Sequence, residues 1–158
     1  MMTNSQQGVS ASGLLDRVAS LLAALERLPL AVFQTLFRLC IAAVFWHSGM
    51  VKLASWQATL ALFRYEYKIP LIPPEIAATL AAAVELTCPV LLVLGLAARL
   101  ATLPMLAMTC VIQFLVYPED WLQHLTWVAM LLFILSRGPG PLSLDHIIAT
   151  KLLARYRG

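Results

Sequence analysis

Six polar side chains stand in stretches that are otherwise apolar: Arg38, His47 and Lys52 in one, Glu85 in the next, and Gln113 and His124 in the two that follow. An ionisable group near the middle of a bilayer costs about 2.5–3.5 kcal/mol on insertion scales, so each is a functional candidate. A lone carboxylate at that depth must be protonated or paired, and Arg38 or Lys52 can supply the partner for Glu85. Such a carboxylate can also hold a proton or bind a ring hydroxyl. The plainer roles are structural pairing for Glu85, a backbone or water hydrogen bond for His47, and interface anchoring for His124. No group of residues has metal-ligand spacing, and no phosphate-binding, dinucleotide, zinc-protease or serine-hydrolase motif occurs.

The elements that must position these groups follow from composition. Of the 158 residues 61% are apolar and 12% charged, against about 25% charged in soluble domains. A span needs about 20 mostly apolar residues. Leu30–Leu53, Ile76–Ala98, Leu100–Tyr117 and Trp121–Ser136 qualify, the last two being short. The fold class expected is an all-α integral membrane protein, a four transmembrane helix bundle over residues 30–136. "IPLIPPE", "YPED" and "RGPGP" are its breaks. Residues 1–12 are polar, without the basic start of a secretory signal, and are expected to be disordered. Residues 13–29 carry Leu14, Val18, Leu21, Leu22 and Leu25 at helical spacing and predict an amphipathic interfacial helix. Residues 137–158 predict a C-terminal amphipathic tail, with Ser143 as its cap.

With this arrangement both termini lie on one side, together with Arg17, Arg27, Arg99, Arg137, Lys151, Arg155 and Arg157. The other side holds Arg64 and Lys68, with Lys52 at its edge. The positive-inside rule then places N- and C-termini in the cytoplasm of a multi-pass bacterial inner-membrane protein. The net charge of +3 is spread at the span ends, which points to membrane lipid and not to nucleic acid. Cys40, Cys88 and Cys110 all fall inside spans, where a small packing role is expected and a disulfide framework is not.

At 1.5 Å per residue, Arg38 falls roughly 7 Å on the inner side of its span's midpoint, while Glu85, His47, Gln113, His124 and Lys52 fall about 3–13 Å on the outer side. Each span thus brings a polar group to the outer half. Around the first span, Arg38, Phe45, Gly49 and Lys52 share a face and His47 points away. Two charges outweigh one imidazole, so the Arg38/Lys52 face is expected to look inward. Glu85 shares its face with small residues that permit close helix contact. On the third span, Arg99, Thr102, Thr109, Cys110, Gln113 and Tyr117 predict a polar stripe running its full length.

In order and spacing, Arg38, "HSGMVKL" with the helix-contact residue Gly49 and Lys52, Glu85, and "LGLAAR" with Gly95 and Arg99 resemble the DoxX family of small membrane proteins. The longer stretches "YKIPLIPPEIAATLAAAVEL" and "RGPGPLSLDH" resemble one bacterial subgroup, encoded beside small secreted metal-responsive modified peptides. The resemblance implies an accessory or scaffold subunit of a periplasm-facing redox or metal-stress system, working with a protein partner or as a homo-oligomer. It also implies an alternative: a quinone-linked oxidoreductase subunit, with Lys52, Glu85, Gln113 and His124 lining a quinone pocket. A small transporter is the third expectation.

Overall fold

The computed structural model describes the backbone of residues 7–156 and the side chains of residues 13–23 and 27–152. Every element in it is helical. In chain order they are α1 (Gln7–Glu26), α2 (Leu30–Ala54), α3 (Trp56–Leu62) running into a π-helical turn (Phe63–Tyr67), α4 (Pro74–Leu94), α5 (Ala98–Val111) running into a second π-helical turn (Ile112–Val116), a short 3₁₀ turn (Pro118–Asp120), α6 (Trp121–Arg137) and α7 (Leu144–Tyr156). Three helices are long and apolar enough to cross a membrane: Leu30–Ala54, Pro74–Leu94 and Ala98–Val116. α6 lies where the fourth span is expected, but at 17 residues it is not among these three.

The starts and stops have local causes. Pro74 occupies the first turn of α4, where its missing N–H costs nothing. Gly95 ends α4 in the left-handed region at φ 65°. Gly95 N–H bonds the Leu92 carbonyl at 3.1 Å and Leu96 N–H bonds that of Leu91 at 2.9 Å, a paired C-terminal cap. α2 closes with Lys52 in its last turn, where a cation suits the helix dipole. Ser143 Oγ accepts the His146 N–H at 3.2 Å, so the expected cap of the last helix is in place.

Contacts across the bundle fix its order. Gln34 meets Arg137 and Gly138, and Phe45 meets Trp127, so α2 and α6 are antiparallel. Arg38 meets Val93 and Lys52 meets Glu85, so α2 and α4 are antiparallel as well. α5 packs between α4 and α6 and completes a four-cornered bundle. One end is packed solid by Ile41, Leu92, Met105, Leu131 and Ile134, all fully buried. The other end carries α3 and both π turns.

Several expectations change here. α1 begins at Gln7, within the stretch expected to be disordered; residues 1–6 lie outside the described residues. Leu14, Leu15, Val18, Leu21 and Leu22 of α1 are exposed. The stretch between the first two long helices, residues 55–70, is mostly helical, and its Phe63 packs on Ala77 and Ala78 of α4. Of the cysteines only Cys88 is buried, whereas Cys40 and Cys110 are exposed on the bundle's outer surface.

Candidate functional site

The polar groups form two separate centres at opposite ends. At the solid end, Arg38 is 3% exposed. Its guanidinium donates to the carbonyls of Pro139 (2.7 Å), Leu142 (3.0 Å) and Val93 (3.4 Å). These are backbone acceptors left open where α4 ends and where the chain leaves α6. Gln34, one turn earlier on the same face, donates to the Arg137 and Gly138 carbonyls. Asp145 accepts the N–H groups of Ala97 (2.7 Å) and Ala98 (3.1 Å), capping α5 from the start of α7. Arg38 is therefore a structural clasp, and the pairing with Glu85 open to it in the sequence does not form. Arg99 is exposed and donates to the Ser136 carbonyl. Gly95 lies against Ser143 and Arg38.

At the other end a chamber of about 410 Å³ opens among α2, α4, α5, α6 and the π turns. Its walls are largely apolar, with Val44, Phe45, Leu80, Val84, Met108 and Trp127 among them. Lys52, Glu85 and His124 are set into these walls, Glu85 and His124 both buried, and Tyr67, Tyr117 and Asp120 also line the chamber. Lys52 Nζ bonds Glu85 Oε1 at 2.7 Å, with side-chain exposures of 18% and 4%. Gly49 makes this pair possible: a Cβ there would meet Leu86 Cδ2 at 2.8 Å and Glu85 Cβ at 3.1 Å, so α2 lies close against α4 one turn before Lys52. Pro89 has no N–H to give the Glu85 carbonyl one turn back, which loosens α4 at this level.

Among the described residues, the buried side-chain atoms without a hydrogen-bond partner are Thr35 Oγ1, Arg38 Nε and Glu85 Oε2. Only Glu85 belongs to a residue lining the chamber. Unsatisfied buried oxygens are uncommon, and a charged one is costly to leave so.

His124 is 4% exposed and stacks edge-on against Trp127, with ring centroids 5.2 Å apart. Its Nδ1 lies 2.7 Å from Gln113 Oε1. Gln113 Nε2 donates to the Pro118 carbonyl at 2.9 Å, which orients the amide. An amide oxygen only accepts, so Nδ1 carries the hydrogen and Nε2 is left free to accept.

The mouth is built from the two π turns. Single-turn π segments are frequent at functional sites. Tyr117 Oη donates to Glu66 at 2.6 Å, and the rings of Tyr67 and Tyr117 meet edge-on at 5.7 Å. Arg64 pairs with Glu75 on the exposed rim. The bond to Glu66, with Tyr67 close beside it, pushes the Tyr117 phenol above its ordinary range. The folded state thus holds this proton more tightly than the unfolded chain. Its contribution is complete below about pH 10 and is lost as pH rises through the folded value. Spectrophotometric titration of Tyr117→Phe against the native protein should therefore remove a tyrosine that ionises after the others.

The residues expected from the sequence divide accordingly. Lys52, Glu85, Gln113 and His124 come together; Arg38 goes to the opposite end; His47 is exposed, on the outward side expected for it. The polar stripe on α5 does not exist as one surface. Thr102 and Thr109 are buried and bond back to the Arg99 and Met105 carbonyls of their own helix, while Arg99 and Cys110 are exposed. Gln34, Glu66 and Asp145 were not anticipated. Gln34 could have been found from its spacing of four before Arg38, whereas Glu66 and Asp145 act only across the fold. Among the described residues no three His, Cys, Asp or Glu side chains gather into a metal site.

No curated protein and no solved structure matches the chain. The DoxX family does, over residues 33–118. That span runs from the first turn of α2 to the 3₁₀ turn, more than half of the chain, and carries the Arg38 clasp, the Lys52–Glu85 pair and Gln113. The chain belongs to the DoxX family.

Proposed function

We propose that this DoxX-family membrane protein crosses the bacterial inner membrane four times, with both termini cytoplasmic, and seats the ring of a lipid quinone in the chamber at its outer end. It acts there as the quinone-binding accessory subunit of a periplasm-facing redox system. The observation that carries the reading is Glu85 Oε2, a buried oxygen without a partner in a chamber with largely apolar walls. The volume lies within the roughly 300–1,000 Å³ of small-molecule sites. The apolar walls suit a ring and the root of an isoprenoid tail.

Bound there, a quinone supplies two-electron, two-proton chemistry. The chain's own part is to orient and to hold protons. Lys52 fixes the Glu85 carboxylate, Gln113 fixes the His124 ring, and Trp127 and Phe45 exclude water beside them. Electrons enter or leave through a partner protein. The solid packing beneath the chamber favours binding over passage, and so argues against the transporter.

Decyl-benzoquinone added to the purified protein in lipid nanodiscs should quench Trp127 fluorescence saturably. Ala81 lines the chamber but bonds to nothing polar. Ala81→Phe should weaken binding by at least roughly tenfold, because filling the space removes the ligand's own contacts. Unchanged binding in Ala81→Phe would place the ligand elsewhere and leave the scaffold role as the better account. For topology, single cysteines in a cysteine-free background at Leu71 and Pro141, both exposed, should label from the periplasm and the cytoplasm respectively. The reverse pattern would turn the chamber toward the cytoplasm.

A further inference from the structure

We infer that the chamber selects the reduced, dihydroxy form of its aromatic ligand over the oxidised dione. The inference rests on the quinone reading above and adds a redox state to it.

The argument is one of donors and acceptors. Glu85 is held by the Lys52 ammonium at 2.7 Å, and a carboxylate so paired only accepts. Its second oxygen, buried and unpartnered, needs a hydrogen to be given to it. His124 has the same need. Its Nδ1 hydrogen is committed to Gln113, whose own amide is committed to the Pro118 carbonyl, so Nε2 presents a lone pair. Glu85 and His124 are the buried polar residues of the chamber lining, and the atoms that their own bonds leave open both accept; Ser48, Tyr67 and Gln123 also line the chamber but are half-buried or exposed.

Lys52 is the counterweight, since its ammonium has further hydrogens to give. A hydroxyl meets both demands of the pair: its oxygen accepts from Lys52 while its hydrogen goes to Glu85 Oε2. A dione oxygen can take only the first. It brings its lone pairs against the carboxylate and leaves Oε2 as it is without a ligand. A hydrogen bond to a charged acceptor corresponds to roughly tenfold to a hundredfold in affinity.

Anaerobic equilibrium dialysis of the native protein in nanodiscs should show decyl-hydroquinone binding roughly tenfold to a hundredfold more tightly than decyl-benzoquinone. The dimethyl ether of the hydroquinone accepts but does not donate, and it should bind as weakly as the dione. Glu85→Gln, whose amide can donate, should bring the two redox forms near parity. Parity, or a preference for the dione, in the native protein overturns the inference and leaves the chamber as a quinone site. So does an ether that binds as tightly as the hydroquinone. Failure of every form to bind overturns the quinone reading itself. Because the native protein and three ligands suffice, the test stands even where Glu85→Gln does not fold.

Discussion

Glu85→Gln should destabilise the protein by about 3 kcal/mol in mixed-micelle unfolding, toward the low end for a broken buried pair because Lys52 keeps some exposure. The loss has two parts. The amide no longer balances the ammonium, and Lys52 is left as a charge in an apolar wall. Lys52→Met should cost a similar amount by stranding the carboxylate. The double variant should cost less than the sum, with a coupling of about 2 kcal/mol, since neither charge is then left alone. The same cycle through Arg38→Met should be additive within about 0.5 kcal/mol, because the clasp and the pair lie at opposite ends of α2 and share no partner. An additive Lys52 cycle would mean that the pair contributes nothing and that Glu85 is held by something else.

Gly95→Ala should be comparably severe, at about 3 kcal/mol, for different reasons. Its φ of +65° lies where an L side chain is strained by about 1–2 kcal/mol. The new Cβ would also meet Ser143 backbone at 2.9 Å and Arg38 Nη1 at 2.7 Å. The backbone cannot swing aside as a side chain can, and overpacking of this kind costs about 1–3 kcal/mol. The damage should be local in a telling way. Asp145 N–H bonds the Gly95 carbonyl at 2.9 Å, so displacing Gly95 also loosens the cap on α5. Hydrogen exchange should therefore rise at Ala97, Ala98 and Asp145 while the amides around Glu85 stay protected. Uniform loss of protection would show that the bundle unfolds as one unit and that the clasp is not a separate element.

Much of the helical frame was open to a reader of the sequence, since an apolar run bounded by Pro and Gly has few alternatives in lipid. α2, α4, α5 and α6 lie close to the runs marked out for them, and Ser143 caps the last helix as its spacing suggests. The inward face of α2 was also legible: two cations outweighed one imidazole, and His47 is exposed. The π turns were not. Their sequences read as ordinary helix or loop, and the contacts of Tyr67, Tyr117 and Glu66 that join them across the chamber's mouth are not local in sequence.

What the sequence by itself determined is the four long helices of the bundle, the inward face of the first, and the presence of charges too costly to leave in lipid unpaired. Helical periodicity and hydropathy are local, so they can be read along one strand of text. Which charges pair is not local. Arg38 and Lys52 share a face of α2 and were equal claimants to Glu85. The antiparallel packing of α4 sets Lys52 beside it and turns Arg38 to the carbonyls at the far end. The partnerless oxygen of Glu85 and the single free nitrogen of His124 are likewise properties of neighbours drawn from different helices. Only the tertiary structure decided them, because a hydrogen bond is satisfied or left open by atoms that meet in space and not along the chain.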